Sequence, residues 1–221
     1  MINKRAFSVK SGLYLIIDPS IEMHLLLQKV ESALKGGVSI IQILDNFKPN
    51  TCKILIIESV VILAHRFDVP VLINQDVSYA NIVDGVHFDE IPADYDSIRL
   101  AISSNSIIGI TCSNNFDKIE WAVRHHLDYV SIGAVFPTNS VSDYEIVNKE
   151  TISKARTYTD VPIFLAGGIS LDNMKLLSDT GLDGIAVISG IMNAEDPEKS
   201  ATDYKKALID IKRKRRDLVI H

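Results

Sequence analysis

Residues 181–190 read GLDGIAVISG, which is a turn, a short apolar run and a serine-glycine pair. A short apolar run that is bounded by turn residues and has little polar alternation is typical of a parallel strand buried on both faces. An aspartate stands just before such a run at Asp84, Asp128 and Asp183. This recurring junction predicts a parallel sheet that is built from repeated strand–helix units.

Eight apolar runs follow this pattern, and amphipathic stretches of helical period separate most of them. The predicted strands are Leu13–Ile17, Val38–Ile43, Val71–Ile73, Gly85–Phe88, Ile107–Thr111, Tyr129–Gly133, Ile163–Ala166 and Gly184–Ile188. Eight units in a chain of 221 residues predict an α/β fold, a single (β/α)8 TIM barrel. A doubly wound open sheet is the alternative.

Helical periodicity places the clearest helices between these strands. The predicted helices include Glu22–Lys35, Lys53–Arg66, Phe116–His126 and Asp172–Thr180. The short interval between Ile73 and Gly85 predicts a short or irregular third helix. We expect residues 1–221 to form one domain, with the barrel at about 13–209 and a basic C-terminal tail at 210–221.

Composition excludes several classes of function. Hydrophobic residues make up 47% of the chain and the formal net charge is -5, which predicts a folded protein without a general nucleic-acid surface. No stretch reaches the roughly 18 apolar residues of a membrane span, and the start does not resemble a signal peptide. We therefore expect a cytoplasmic protein that does not bind nucleic acid or membrane, and self-association stays open. The basic run at 212–216 is expected to be a solvated helix end, with binding to a nucleic acid or an anionic surface as the alternative.

Three side chains are expected to be structural. His87 lies inside the fourth predicted strand, where a packed core residue is commoner than a catalyst. Cys52 and Cys112 fit no zinc spacing and are interpreted as reduced, buried thiols.

Glycine and serine residues follow the last two predicted strands. Gly167 and Gly168 come after the seventh strand, and Ile188 and Ser189 close the eighth. Glycine lets the backbone approach an oxyanion, and the start of a helix offers unpaired N–H donors. Because barrel enzymes often bind phosphate between these two loops, the pattern predicts a site for a small phosphate ester. The alternative is a tight turn and a helix cap without a ligand.

Neutral polar residues end other strands or follow them. Gln42, Asn74 and Thr111 stand at the carboxyl ends of the second, third and fifth strands, where side chains face the barrel mouth. Thr138 and Ser140 are two residues apart, so in an extended loop their hydroxyl groups point the same way. Each is a candidate substrate contact, with a satisfied structural polar group as the alternative.

The order and spacing of eight segments resemble those of thiamine phosphate synthases and their relatives, the thiazole tautomerases. The segments are GLYLIID, GGVSIIQ, VPVLIN, DGVHF, IIGIT, DYVSIGAVFPT, PIFLAGGIS and GLDGIAVISGI. The resemblance implies a TIM barrel that joins hydroxymethylpyrimidine diphosphate to thiazole phosphate, releases pyrophosphate and uses Mg²⁺.

The resemblance also implies roles for individual residues. It makes Gly167, Gly168, Ile188 and Ser189 a thiazole phosphate pocket, Thr138 and Ser140 a pair of ligand-binding hydroxyls, Thr111 the counterpart of a serine, and Gln42 and Asn74 contacts around the pyrimidine and diphosphate. No catalytic residue is assigned.

The chain departs from the family pattern around the diphosphate. The family motif Gln-Leu-Arg-Glu-Lys reads QILDN at residues 42–46, so both cations are missing. The two metal-binding aspartates correspond to Gln75 and a position near Pro92, and a lysine corresponds to Val141. Asp76 and Asp89 are the remaining weak candidates for Mg²⁺, followed by Asp45 and Glu90 if the site is rearranged.

A tautomerase-type histidine corresponds to Ala134. Two hypotheses remain: a divergent synthase, and a relative that binds a phosphate ester without diphosphate chemistry, in an isomerase-like or regulatory role.

Overall fold

The computed structural model describes residues 6–138 and 145–219, and it shows a closed barrel of eight parallel strands. The strands are β1 (Gly12–Ile17), β2 (Ile40–Ile43), β3 (Val71–Asn74), β4 (Gly85–Phe88), β5 (Ile107–Thr111), β6 (Tyr129–Ile132), β7 (Ile163–Ala166) and β8 (Gly184–Val187). Each strand pairs with its neighbours in sequence, and β8 closes the barrel on β1 with Leu13 opposite Ile185. The predicted TIM barrel is confirmed, and the open-sheet alternative is wrong.

Helices surround most of the barrel. They are α1 (Met23–Lys35), α2 (Lys53–His65), α3 (Tyr95–Ala101), α4 (Phe116–Arg124), α5 (Lys149–Tyr158), α6 (Ser189–Met192) and α7 (Pro197–Val219). The third unit has only a 3₁₀ turn at Val77–Tyr79, which confirms the prediction of a short helix there. None of the helices in the described residues has the length and apolar character to cross a membrane.

The predicted helix at Asp172–Thr180 is wrong. A 3₁₀ turn at Met174–Leu177 takes its place. The side chain of Asn173 accepts from the Ser170 N–H and donates to the Gly168 carbonyl, and such local bonds compete with a regular helix.

The recurring aspartates hold the amino-terminal end of the barrel together. The carboxylates of Asp84, Asp128 and Asp183 accept from backbone N–H groups in the first or second residue of the neighbouring strands. The three acceptor–donor distances are 2.8, 2.7 and 2.9 Å, respectively. Strand register is therefore fixed at this end, and the opposite end, the barrel mouth, is left for polar side chains and loops.

Two details of the periphery differ from expectation. The basic run belongs to α7, and its first residue, Lys212, is partly buried and donates to the Asp183 carbonyl at 3.0 Å, so the prediction of a solvated side chain is wrong for Lys212. Cys112 is buried and burial raises its pKa to about 12, whereas Cys52 is exposed at the start of α2. The prediction of a buried thiol is therefore wrong for Cys52.

Candidate functional site

A cavity of about 530 Å³ opens at the mouth where β7 and β8 end. The predicted residues Gly167, Gly168, Ile188 and Ser189 all line it. Thr138 lines it as well, whereas Ser140 lies outside the described residues. The structure thus brings the predicted phosphate residues and one predicted hydroxyl into a single space.

Gly167 and Gly168 are required by the backbone of this cavity. Their φ angles are +85° and +65°, a backbone region that residues with a Cβ atom rarely adopt. A Cβ atom on Gly168 would lie 2.4 Å from the Pro137 carbonyl oxygen, and one on Gly167 would lie 2.6 Å from Cβ of Ala134. The glycine pair therefore brings the backbone close to the loop after β6.

The other wall of the cavity is formed by the start of α6. Ser189 is exposed at the first helical position, where backbone N–H groups have no partner within the helix. Tyr204, on α7, closes the wall and donates to the Ile169 carbonyl at 3.1 Å. None of the described residues that line the cavity carries a charged side chain. The donors available to an anion are therefore mainly backbone N–H groups and hydroxyls.

A second polar region occupies the barrel interior towards β2–β5. It is a continuous chain of hydrogen bonds, named here the interior chain, and its members are Asp89, Asn74, Gln42, Tyr14, Tyr129, His87 and Thr111. The predicted substrate contacts Gln42, Asn74 and Thr111 are thus brought together, but their polar groups are bonded to other protein side chains.

The first part of the interior chain runs inward from the mouth. Asn74 Nδ2 donates to the Asp89 carboxylate at 3.0 Å, and Gln42 Nε2 donates to Asn74 Oδ1 at 2.8 Å. Tyr14 donates its hydroxyl to Gln42 Oε1 at 2.7 Å. Asn74 and Gln42 are buried, so these bonds satisfy amides that would be costly to leave unpaired.

The second part returns to the mouth through two aromatic groups. The Tyr14 and Tyr129 hydroxyl oxygens are 2.8 Å apart, and Tyr129 lies 2.7 Å from His87 Nδ1. His87 Nε2 lies 2.8 Å from the hydroxyl of Thr111. Burial lowers the pKa of His87 to about 4 and raises the pKa values of Tyr14 and Tyr129. All three rings are therefore neutral near pH 7.

Comparison with known proteins matches the sequence of this chain to a family. A family model described as thiamine monophosphate synthase matches residues 13–191. The chain belongs to this family.

Individual members agree with the match. The thiamine-phosphate synthase of Methanobrevibacter smithii is 31% identical over 197 residues, which cover 88% of this chain and 94% of that protein. The thiamine-phosphate synthase of Prochlorococcus marinus is 34% identical, over 93% of this chain and 58% of the longer protein. Thiamine phosphate pyrophosphorylase from Pyrococcus furiosus superposes with a TM-score of 0.77 at 27% identity, over 92% of this chain and 98% of that one.

This member of the thiamine monophosphate synthase family carries an amide, Gln75, beside Asp89. Gln75 donates through Nε2 to Asp89 Oδ2 at 2.8 Å. Asp89 Oδ2 therefore accepts from two amides. Asp76 caps the following 3₁₀ turn by accepting from the backbone and side chain of Ser78.

Acidic groups elsewhere on the rim are paired with lysines. Asp45 lies 3.2 Å from Lys53 Nζ, and Glu90 lies 2.7 Å from the largely buried Lys118 Nζ. Over residues 6–138 and 145–219, no cluster of three or more histidine, cysteine, aspartate or glutamate side chains could hold a metal ion. The described residues, as arranged, do not fit a preformed Mg²⁺ site.

Sequence reasoning missed Tyr14 and Tyr129. In a strand that is apolar on both faces the alternation of inward and outward positions is hidden, so a tyrosine reads as another large hydrophobic residue. The available signal was a hydroxyl within an otherwise aliphatic run, since a buried tyrosine hydroxyl needs a partner. The interpretation of His87 as a packed core residue agrees with its burial.

Proposed function

We propose that this protein is a transferase that couples hydroxymethylpyrimidine diphosphate to thiazole phosphate and releases pyrophosphate. One observation carries the proposal: in a chain that matches the thiamine monophosphate synthase family over residues 13–191, the cavity after β7 and β8 is lined by glycine backbone and Ser189. This is the place where barrel enzymes often hold a phosphate group.

The thiazole phosphate would occupy this cavity. Backbone N–H groups of Gly167, Gly168, Ile188 and Ser189 would donate to the phosphate oxygens, and the dipole of the helix start favours an anion. Thr138 would add a hydroxyl, and Ser140 is proposed as a second one. Since none of the described residues that line the cavity carries a charged side chain, backbone and hydroxyl donors would carry the binding.

The pyrimidine would lie over the outer members of the interior chain. Gln42 and Asn74 each use one amide hydrogen for a bond within the interior chain, and each keeps a second amide hydrogen for a ligand. Thr111 stands at the end of β5 and is partly exposed. These groups would orient the ring so that its methylene carbon faces the thiazole nitrogen.

The reaction proposed for the family begins when the C–O bond to pyrophosphate breaks and leaves a pyrimidine methyl cation. The thiazole nitrogen then attacks this cation, and its lone pair forms the new C–N bond. The departing pyrophosphate needs positive charge nearby, and the lysines described at the rim are already paired with Asp45 and Glu90. Since the loss of one well-placed donor costs roughly 10²–10³ in rate, we expect slow turnover.

A second candidate function rests on the contact between Gln75 and Asp89. The Gln75 amide donates to the Asp89 carboxylate and satisfies it without a metal. This favours a protein that binds thiazole phosphate, or another small phosphate ester, and does not carry out diphosphate chemistry. Isomerase-like and regulatory roles belong to this class.

One assay separates the two candidates. The purified full chain is mixed with both substrates and Mg²⁺, and pyrophosphate release is followed with and without EDTA. The transferase releases pyrophosphate and thiamine phosphate together, and EDTA stops the release if Mg²⁺ enters with the diphosphate. Thiazole phosphate binding in a calorimeter without any release supports the binder, and a lack of both contradicts the proposed site.

Three further properties are proposed on the same basis. A biosynthetic enzyme of this family would act in the cytoplasm, and its single domain would end in the basic tail from residue 210. Self-association is proposed through α2, because Ile54, Leu55 and Ile62 are exposed on that helix. Sedimentation of the full chain tests the last point.

A further inference from the structure

The hydrogen bonds of the interior chain have a direction, and one group at the mouth fixes it. A carboxylate oxygen only accepts, so Asn74 has to turn its Nδ2 towards Asp89 and its Oδ1 towards Gln42. Gln42 then has to donate through Nε2, which leaves its Oε1 to accept from Tyr14. Each amide orientation follows from the one before it.

The same logic continues through the aromatic groups. The only hydroxyl hydrogen of Tyr14 goes to Gln42, so the Tyr14 oxygen has to accept from Tyr129. The Tyr129 hydrogen is then used, and its oxygen has to accept from Nδ1–H of His87. A neutral imidazole carries one hydrogen, so Nε2 is a bare acceptor that receives the hydroxyl hydrogen of Thr111.

We propose that Asp89 is a positioning residue that holds His87 in the Nδ1–H tautomer through the hydrogen bonds of Asn74, Gln42, Tyr14 and Tyr129. Asp89 Oδ1 lies 3.9 Å from His87 Nε2, too far for a direct hydrogen bond, so the hydrogen-bond connection between the two residues runs through the interior chain. The contact between Gln75 and Asp89 has a role in the same device, since it holds the carboxylate against Asn74.

The direction of the hydrogen bonds in the interior chain decides whether the barrel mouth offers a ligand a hydrogen-bond donor or an acceptor. Thr111 gives its hydrogen to His87 and keeps only oxygen lone pairs for a group that binds above it. In the proposed reaction, that group has to be an N–H or O–H donor. This consequence rests on the proposed function, whereas the tautomer itself is a property of the protein without ligand.

Nitrogen NMR of the full chain, with ¹⁵N-labelled histidine and no ligand, tests the proposal. The six histidines are distinguished by the loss of one signal pair in His87→Gln. In the native protein we expect His87 to show a protonated Nδ1 and an unprotonated Nε2 near pH 7. A protonated Nε2 would overturn the proposed direction of the hydrogen bonds in the interior chain, whether or not the protein catalyses the proposed reaction.

Two substitutions test the role of Asp89 itself. In Asp89→Ala, water replaces the carboxylate and can donate or accept, so we expect the His87 nitrogens to report a mixture of both tautomers. In Asp89→Asn, Oδ1 still accepts from Asn74, and we expect the single native tautomer to return. A native tautomer that persists in Asp89→Ala, or a mixture in Asp89→Asn, would contradict the positioning role.

Discussion

The two halves of the barrel mouth use polar groups in opposite ways. After β7 and β8, donors come from glycine backbone, a short helix start and Ser189, and they face an open cavity. Towards β2–β5, side chains of the interior chain satisfy one another and end on the carboxylate of Asp89. The first half offers backbone and hydroxyl donors to an anion, whereas the second half can orient a neutral ring through the amide hydrogens that Gln42 and Asn74 do not use within the interior chain.

The largest effect is expected from a negative charge in the first half. Ser189→Asp places a carboxylate beside the proposed phosphate position, and two like charges at about 4 Å repel by about 4 kcal/mol at an effective dielectric of about 20. We expect calorimetry with thiazole phosphate to show at least about a 100-fold loss of affinity. Ser189 is exposed, and an anion at a helix start suits the fold, so the variant should remain stable.

Two controls sharpen this test. Ser189→Ala removes only a hydroxyl and should weaken binding by about tenfold or less. Ser153→Asp adds the same charge on the exposed surface of α5, outside the cavity, and should leave the affinity unchanged. Equal affinity in Ser189→Asp and Ser153→Asp would remove the phosphate assignment. Gly168→Asp is a poor test, because its Cβ would collide with Pro137.

The second half should respond to acid. Burial lowers the pKa of His87 to about 4 in the folded protein, whereas an unperturbed histidine has a pKa of 6.5. Between pH 4 and pH 6.5 this side chain is therefore protonated in the unfolded protein and neutral in the folded one. Stability is therefore fully present above pH 6.5 and falls as the pH approaches 4, by about 3 kcal/mol in total. Urea unfolding should show a steeper fall with acid in the native protein than in His87→Gln, and parallel curves would contradict this account.

Removing a hydroxyl group from the middle of the interior chain should lower the free energy of unfolding by a smaller amount. Tyr129→Phe leaves Nδ1–H of His87 without its acceptor and Tyr14 without its donor, and a buried unsatisfied group costs about 1–3 kcal/mol. Denaturant unfolding measures the loss. The matched control is Tyr158→Phe on α5, where the side chain is 47% exposed and the ring contact with Phe116 is kept, and its stability should change by less than about 0.5 kcal/mol.

The smallest effect concerns Mg²⁺. Without diphosphate, the native protein should show no change in Tm on addition of Mg²⁺, because amides satisfy Asp89 Oδ2. Gln75→Asp would place a second carboxylate there, and aspartate tolerates the φ of 59° at this position. At a tenfold excess over Kd, binding would add about 1.4 kcal/mol and raise Tm by about 3–5 °C. Gln75→Asn is the neutral control, and a shift in the native protein would contradict the amide interpretation.

The sequence predicted the barrel well, since buried parallel strands leave continuous apolar runs and their aspartate junctions have a physical role. Asp84, Asp128 and Asp183 recur because each carboxylate accepts from the start of a neighbouring strand. The glycine pair was also readable, because positive φ at Gly167 and Gly168 demands that residue type.

The remaining features depend on contacts that sequence spacing does not encode. The helix expected over Asp172–Thr180 gave way to the side-chain bonds of Asn173, and Cys52 proved to be exposed because it precedes α2 rather than packing beneath it. The interior chain joins residues from β1 to β6, so its direction follows only from the assembled barrel and the placement of Asp89.

The contrast between the two halves can be tested in one titration. Amide NMR of the full chain, with thiazole phosphate added, should shift the backbone signals of Gly168 and Ser189 strongly and leave the side-chain amides of Gln42 and Asn74 nearly unchanged. Strong shifts at Gln42 and Asn74 with none at Gly168 and Ser189 would contradict the assignment of the anion to β7 and β8.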